Sequence, residues 1–166
     1  MEQINVDGEV FSISRAARDD VASIVELLSD DILGSTRETT NLEPYLTAFR
    51  DVDADPNQFL AVVRDSDDRV CGTFQLTLIP GLARGGTKRL QIEAVRLRSS
   101  TRGKGLGTAI FAWAHEWGRS RGANLAQLTT DKKRNDAHRF YDSLGYVASH
   151  EGHKHTLGSS AGTRKS

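Results

Sequence analysis

The chain has 166 residues, with 22 basic and 22 acidic side chains and no net charge, so no global field draws it to nucleic acid or to an anionic membrane. No apolar run approaches the ~18 residues of a membrane span, and the opening Met-Glu-Gln-Ile lacks the basic-then-apolar layout of a signal peptide. The single cysteine, Cys71, precludes an intrachain disulfide and lies in an alternating segment, where it reads as a buried, inert thiol. These bounds predict one domain at residues 10–158 in the cytoplasm, followed by a disordered C-terminal tail at 159–166.

Val10 to Ser14 alternates as a first strand. Asp19 or Asp20 then caps a helix whose Val21, Ile24, Val25, Leu28 and Ile32 form an apolar stripe. A stretch rich in Gly, Ser and Thr from Gly34 to Thr40 precedes a second helix over Leu42 to Arg50. Gln58 to Arg64 and Arg69 to Ile79 read as strands joined by the polar turn Asp65-Ser66-Asp67-Asp68. Pro80-Gly81 ends the second of these, and a strand over Lys88 to Arg98 follows. The helix after it buries Leu106, Ile110, Trp113, Ala114 and Trp117, a spacing that makes the tryptophans core residues. Gly122 stops that helix, and Leu125 to Thr129 forms the next strand. A helix with Ala137, Phe140, Tyr141 and Leu144 comes next, with final strands from Tyr146 and from His153 to Leu157.

Between the strand ending near Arg98 and the long helix lies Arg-Gly-Lys-Gly-Leu-Gly-Thr, residues 102–108. Three glycines within five residues let backbone N–H groups approach a ligand without obstruction by Cβ. The first-turn amides of a helix have no intrahelical acceptor, and the helix dipole favours an anion there. Arg102 and Lys104 add charge, so the segment reads as a phosphate cradle. Lys104 lies inside the loop and not after its last glycine, which departs from a P-loop, and the position late in the chain departs from a dinucleotide-binding unit.

Arg102, Gly105 and Gly107 meet the Arg/Gln-x-x-Gly-x-Gly/Ala pattern of the GNAT superfamily of N-acetyltransferases, which the chain resembles. The likeness extends to the preceding Leu-Gln-Ile-Glu-Ala-Val-Arg-Leu-Arg and to the A-x-x-x-Y-x-x-x-G-[FY] pattern carried by Ala137, Tyr141, Gly145 and Tyr146. Arg15, Asp20 and Ile24 are similar to the family's opening strand and helix. The resemblance implies an α/β fold, a mixed sheet of order β-α-α-β-β-β-α-β-α-β-β whose fourth and fifth strands splay apart around acetyl-CoA. It implies that Gly103, Lys104, Gly105, Leu106, Gly107 and Thr108, with Arg102, hold the pyrophosphate. It also implies that backbone groups of Val95, Arg96 and Leu97 pair with the pantetheine arm, the N–H of Leu97 or Val95 polarising the thioester carbonyl.

The activity so implied is acetyl transfer from acetyl-CoA to a primary amine of a small molecule, by direct attack in a ternary complex. The alternatives are a protein or peptide N-terminal or lysine acetyltransferase and a non-catalytic acyl-CoA-binding module. Homodimerisation follows family habit, with no nucleic acid, membrane or metal partner. Tyr141 matches the tyrosine that protonates the departing thiolate; the competing reading is a core tyrosine on an amphipathic helix. Glu93, placed by alternation on the face of Gln91, Val95 and Leu97, is either the base that deprotonates the amine or a strand carboxylate paired with Arg96 or Lys88. Where the family has Asn seven residues before the tyrosine this chain has Arg134, with Asn135 one place displaced, and either one contacts CoA. His115, His138, His150, His153 and His155 recur at no metal-ligand spacing and read as surface or strand residues.

Overall fold

The structure, a computed structural model, describes residues 1–30, 39, 41–132 and 134–157. The tail expected at 159–166, Ile32 of the first helical stripe and most of the 34–40 stretch lie outside the described residues. The chain divides into two compact units, Met1–Leu128 and Thr129–Ser166.

The first unit opens with a hairpin of β1 (Glu2–Val6) and β2 (Glu9–Arg15). Asp7 and Gly8, at φ 51° and 86°, make its two-residue turn, the left-handed pair that matches strand twist. β2 is the expected first strand, and β1 is an addition to the expected order. After α1 (Val21–Ser29) and α2 (Glu43–Ala54) come β3 (Gln58–Arg64), β4 (Val70–Ile79), the single turn α3 (Ala83–Gly86) and β5 (Arg89–Leu97). The long helix α4 (Leu106–Ser120) and β6 (Leu125–Gln127) complete the unit. Its sheet has the order β1-β2-β3-β4-β5-β6. Neighbours run antiparallel except β5 and β6, which are parallel because α4 crosses between them.

Alternation assigns the two faces of the sheet. One packs on the first helices, where Ala16, Ile24, Leu27, Val62 and Val70 form a buried cluster extended by Leu28, Phe49 and Leu60. Asp20, 8% exposed beside that cluster, is retained by the Ala17 N–H at 2.9 Å and by an ion pair with Arg64. The other face carries the fully buried Phe74, Leu76, Leu90 and Ile92, matched by Leu106, Ile110, Phe111 and Ala114 of α4. Trp117 is buried and Trp113 half-buried, and both stack on Phe59, with Trp113 also edge-on to Phe74. Gly118 lets the helix approach β5: a Cβ there would meet Leu90 Cδ2 at 2.8 Å.

The second unit contains α5 (Asn135–Ser143). It ends in a Schellman motif: the Tyr146 N–H donates to the Tyr141 carbonyl at 3.1 Å and the Gly145 N–H to the Asp142 carbonyl at 3.0 Å. Gly145 takes φ 84°, a value that disfavours any side chain, and the Tyr146 ring meets Tyr141 edge-on at 6.1 Å. The final strands expected from Tyr146 and over 153–157 do not form among the described residues. Val147 is 81% and Leu157 88% exposed, and the polar run between them has no apolar face whose burial would offset the entropy of ordering. The mixed α/β class stands, with one strand gained at the start and two lost at the end.

Truncating Phe74 to Ala is expected to lower the unfolding free energy by about 3–5 kcal/mol. Leu82→Ala, at a side chain 98% exposed, is expected to change it by less than ~0.5 kcal/mol, both read from urea unfolding.

Candidate active site

β5 is held unequally on its two sides. β4 pairs with it along its length, from Arg89 opposite Ile79 to Leu97 opposite Gly72. β6 pairs with it only at Arg89, Leu90 and Gln91, opposite Leu125, Ala126 and Gln127. Beyond Gln91 that edge of β5 has no strand partner among the described residues, so the run from Ile92 to Leu97 keeps backbone groups for a ligand. With β1 added, β5 and β6 are the fourth and fifth strands of the expected order, and their pairing stops where the splay was expected.

A bulge interrupts β5 within that run. Glu93 lies opposite Gln75 and Arg96 opposite Thr73, so Ala94 and Val95 together face the single residue Phe74. Ala94 sits at φ 53°, left-handed backbone that costs a non-glycine residue about 1–2 kcal/mol. The extra residue corrects the expected alternation. Gln91 and Glu93 do share a face, but it is Arg96, and not Leu97, that rejoins them beyond the bulge. Leu97 turns to the opposite face with Gly72, whose absent Cβ would lie 2.7 Å from Leu97 Cδ2. Nor does Glu93 pair with Lys88, whose ammonium donates to the Arg121 carbonyl at 2.8 Å. Arg96 donates from one guanidinium nitrogen to the Val95 carbonyl at 2.9 Å.

The glycine segment forms the turn into α4. Gly103 and Gly105 take φ 76° and 80°, and Gly105 is the N-cap residue, its carbonyl accepting from the Ala109 N–H at 3.1 Å. No side chain caps the helix and no acidic residue stands in its first turn, so the amides of Leu106, Gly107 and Thr108 are left for an anion. Space around the loop is open: a Cβ on Gly103 would meet nothing within 4 Å, and one on Gly105 only Val6 Cγ1 at 3.5 Å. The cations are otherwise engaged. Arg102 Nε donates to the Leu97 carbonyl at 3.1 Å, tying the loop to the end of β5, and Lys104 Nζ pairs with Glu9 at 3.0 Å.

The unforeseen strand β1 therefore bears on this site. Its hairpin supplies Glu9 to Lys104 and Val6 beside Gly105, and the Glu2 carboxylate accepts from Trp113 Nε1 at 2.7 Å. Asp7-Gly8 between Ile4, Val6 and Val10 was the sequence signal for it. Hollows of about 300 and 360 Å³ open elsewhere, one beside Met1, Gln3 and Asp68 and another between Glu26 and Arg98. Neither is lined by the glycines or by Glu93.

In the second unit Arg134 is the N-cap of α5, its carbonyl accepting from the His138 N–H at 3.1 Å, and Asn135 is the first helical residue. Tyr141, half-buried, lies between Phe140 and Tyr146, with ring centroids at 5.6 and 6.1 Å. Burial, with a smaller effect of Tyr141, pushes the Tyr146 phenol up to about 12. Burial also raises the Cys71 thiol to about 11, Asp65 adding to the effect, so the thiolate needed for nucleophilic chemistry is scarce at neutral pH. His115 is lowered by burial and by Arg119.

A model of the acetyltransferase (GNAT) family matches residues 22–146, which span the splay, the bulge, the glycine turn and α5. The chain belongs to that family. Over 60 residues it is 43% identical to an aminoalkylphosphonate N-acetyltransferase of Salmonella typhimurium, a match covering 36% of this chain and 39% of that enzyme. Among solved structures, a protein of Bacillus halodurans described as a transcriptional regulator is 40% identical, with a TM-score of 0.83 over 89% of this chain and 99% of that one. An acetyltransferase of Trypanosoma brucei is 26% identical, with a TM-score of 0.71 over 89% and 99% of the two chains. No described helix is long and apolar enough to cross a membrane.

In this GNAT fold Gly105→Ala and Gly107→Val are expected to act differently. Gly105 needs positive φ, so its substitution costs about 1–2 kcal/mol of stability as well as affinity. Gly107 lies within α4 and is not among the positive-φ glycines, so a side chain there needs no left-handed backbone and is expected to act by obstructing the approach of the ligand. Calorimetry is expected to show acetyl-CoA affinity falling in both, and thermal unfolding to show the larger loss of stability in Gly105→Ala.

Proposed function

We propose that the protein transfers the acetyl group of acetyl-CoA to the primary amine of a small molecule, by direct attack in a ternary complex. The observation that carries this reading is the uncapped glycine turn at the start of α4, joined by Arg102 to a bulged β5 that beyond Gln91 has no second strand partner among the described residues. The amides of Gly103 to Thr108 suit a pyrophosphate, and the edge from Val95 to Leu97 suits the amide groups of a pantetheine arm. The Salmonella relative, whose name specifies an aminoalkylphosphonate, supports a small amine as acceptor and makes that class the first to try.

In the proposed reaction the amine nitrogen attacks the thioester carbonyl, the new C–N bond forms and the C–S bond breaks. Glu93 takes the proton that the amine must lose, directly or through water. The family resemblance gives Tyr141 the opposite task, donating its hydroxyl proton to the CoA thiolate, while Arg134 or Asn135 meets the pantetheine arm. A phenol with an ordinary pKa near 10 is protonated at pH 7, and a thiolate with one near 8.5 accepts a proton readily. Homodimerisation and a cytoplasmic location complete the proposal, and sedimentation tests the first.

Free-thiol release from acetyl-CoA across a panel of amines tests the reaction: amine-dependent release is expected, and acetyl-CoA binding without it would leave a binding module. Tyr141→Phe is expected to lower kcat more than it raises the KM for acetyl-CoA, because the proton is needed late. An unchanged kcat in the folded variant would make Tyr141 a packing residue.

Glu93→Gln is expected to lower turnover by about 10²–10⁴ at pH values below the acceptor's pKa, the loss shrinking as pH rises and the amine arrives neutral. A pH-independent loss would instead mark Glu93 as the anionic partner of the ammonium group.

A further inference from the structure

The two faces of the sheet differ in character along β4 and β5. Toward α4 these strands present Phe74, Leu76, Leu78, Leu90 and Ile92, all buried. On the other face the same strands present Gln75, Thr77, Arg89, Gln91 and Glu93, flanked by Gln58 of β3 and Gln127 of β6. All of these except the exposed Glu93 are half-buried. A half-buried polar surface over four strands contributes little to folding, so its chemistry points to a ligand.

The hydrogen bonds give that surface a direction. The Gln58 side-chain oxygen accepts from both Gln75 Nε2 at 3.0 Å and Thr77 Oγ1 at 2.8 Å. The Gln91 oxygen accepts from Gln127 Nε2 at 2.8 Å, and the Gln127 oxygen from an Arg89 guanidinium nitrogen at 3.3 Å. Three amide oxygens are thus consumed internally. What remains outward is donors: the side-chain N–H groups of Gln58 and Gln91, which have no partner among the described residues, and the rest of the Arg89 guanidinium.

Arg89 is half-buried, and among the described residues no carboxylate lies within ion-pair distance of it. A partly desolvated guanidinium facing only an amide oxygen suits an anion that comes with the ligand. Its bond to Gln127, which stands opposite Gln91, places the guanidinium beside that glutamine pair, on the way along β5 toward Glu93. From Gln91 to Glu93 is two strand residues, about 7 Å. The face therefore has a cationic end at Arg89, about 13 Å along the strand from the anionic end at Glu93, with the Gln91 amide between them.

We propose that this face is the acceptor site and that it selects amines bearing an oxyanion, Arg89 and the Gln91 amide reading the oxyanion while the amine lies at Glu93. The proposal rests on the N-acetyltransfer reading above and assigns its acceptor class. Phosphonate and carboxylate share the chemistry that Arg89 recognises, and the acceptors tested separate them.

The test uses the full chain with saturating acetyl-CoA and three acceptors of similar length: 2-aminoethylphosphonate, β-alanine and ethanolamine. For at least one anionic amine kcat/KM is expected to exceed that for ethanolamine by about 10–100-fold, the effect of one charge-assisted hydrogen-bonded pair. Arg89→Gln is expected to collapse that ratio through KM and Arg89→Lys to restore part of it, since lysine keeps the charge but loses the fork. Ethanolamine used as well as the anionic amines, or a ratio unmoved in folded Arg89→Gln, would overturn the proposal. If Arg89→Gln does not fold, the wild-type ratio and Arg89→Lys decide. If no amine is acetylated the reaction itself fails, and calorimetry of 2-aminoethylphosphonate with the CoA-bound protein judges the site. Binding weakened at least tenfold in Arg89→Lys or Arg89→Gln would uphold it, and no binding, or binding indifferent to Arg89, would overturn it.

Discussion

Everything proposed for this protein depends on how β5 is held. A central strand normally exhausts its backbone groups on two neighbours, and among the described residues β5 does so only at Arg89, Leu90 and Gln91. The rest of the strand is fixed from one side by β4 and from beneath by the buried Ile92, which leaves an edge without a strand partner among the described residues. An unpaired edge invites pairing with another chain unless something covers it or bends it. Here the bulge at Ala94 bends it, and a pantetheine arm is the proposed cover. The strain at φ 53° is sustained because β4 fixes the strand on both sides of the bulge, through Gln75 opposite Glu93 and Thr73 opposite Arg96.

The same strand organises the chemistry on its two ends and its two faces. At its far end the Leu97 carbonyl accepts from Arg102, which ties the glycine turn to the strand edge. On the face toward α4 the side chains are core, and on the other they are polar, so a single alternation separates what holds the fold from what meets a ligand. The N-terminal hairpin steadies the start of α4 by placing Glu9 on Lys104 and Val6 beside Gly105. That contact also gives Lys104 a competing carboxylate, so the backbone amides, and not this cation, are the permanent part of the cradle.

The sequence was most informative where local chemistry dictates structure. The glycine turn, the alternation of β3 and β4 and the stripe of α4 are read directly from spacing, and Gly145 with Tyr146 encodes a helix end that any chain would form in the same way. The bulge was not legible, because Ala94 has no residue preference for left-handed backbone; only the register of β4 against β5 reveals it. Counting by twos across it put Leu97 on the wrong face. β1 was missed although Asp7-Gly8 announces its turn, since Glu2-Gln3-Ile4-Asn5 looks too polar for a strand until its place at the sheet edge is known. The strands expected from Tyr146 and over 153–157 do not form among the described residues, and Ser149 to Thr156 lacks the apolar residues to support them.

Backbone amide shifts on adding acetyl-CoA, followed by NMR on the labelled full chain, test the central claim most directly, because they read the N–H groups on which it rests. The account requires the largest shifts at Gly103 to Thr108 and along Ile92 to Leu97, with Ala61 to Val63, buried inside the sheet, left nearly unmoved. Saturating acetyl-CoA that leaves those two segments unshifted, or that perturbs the hollow between Glu26 and Arg98 in their place, would contradict it.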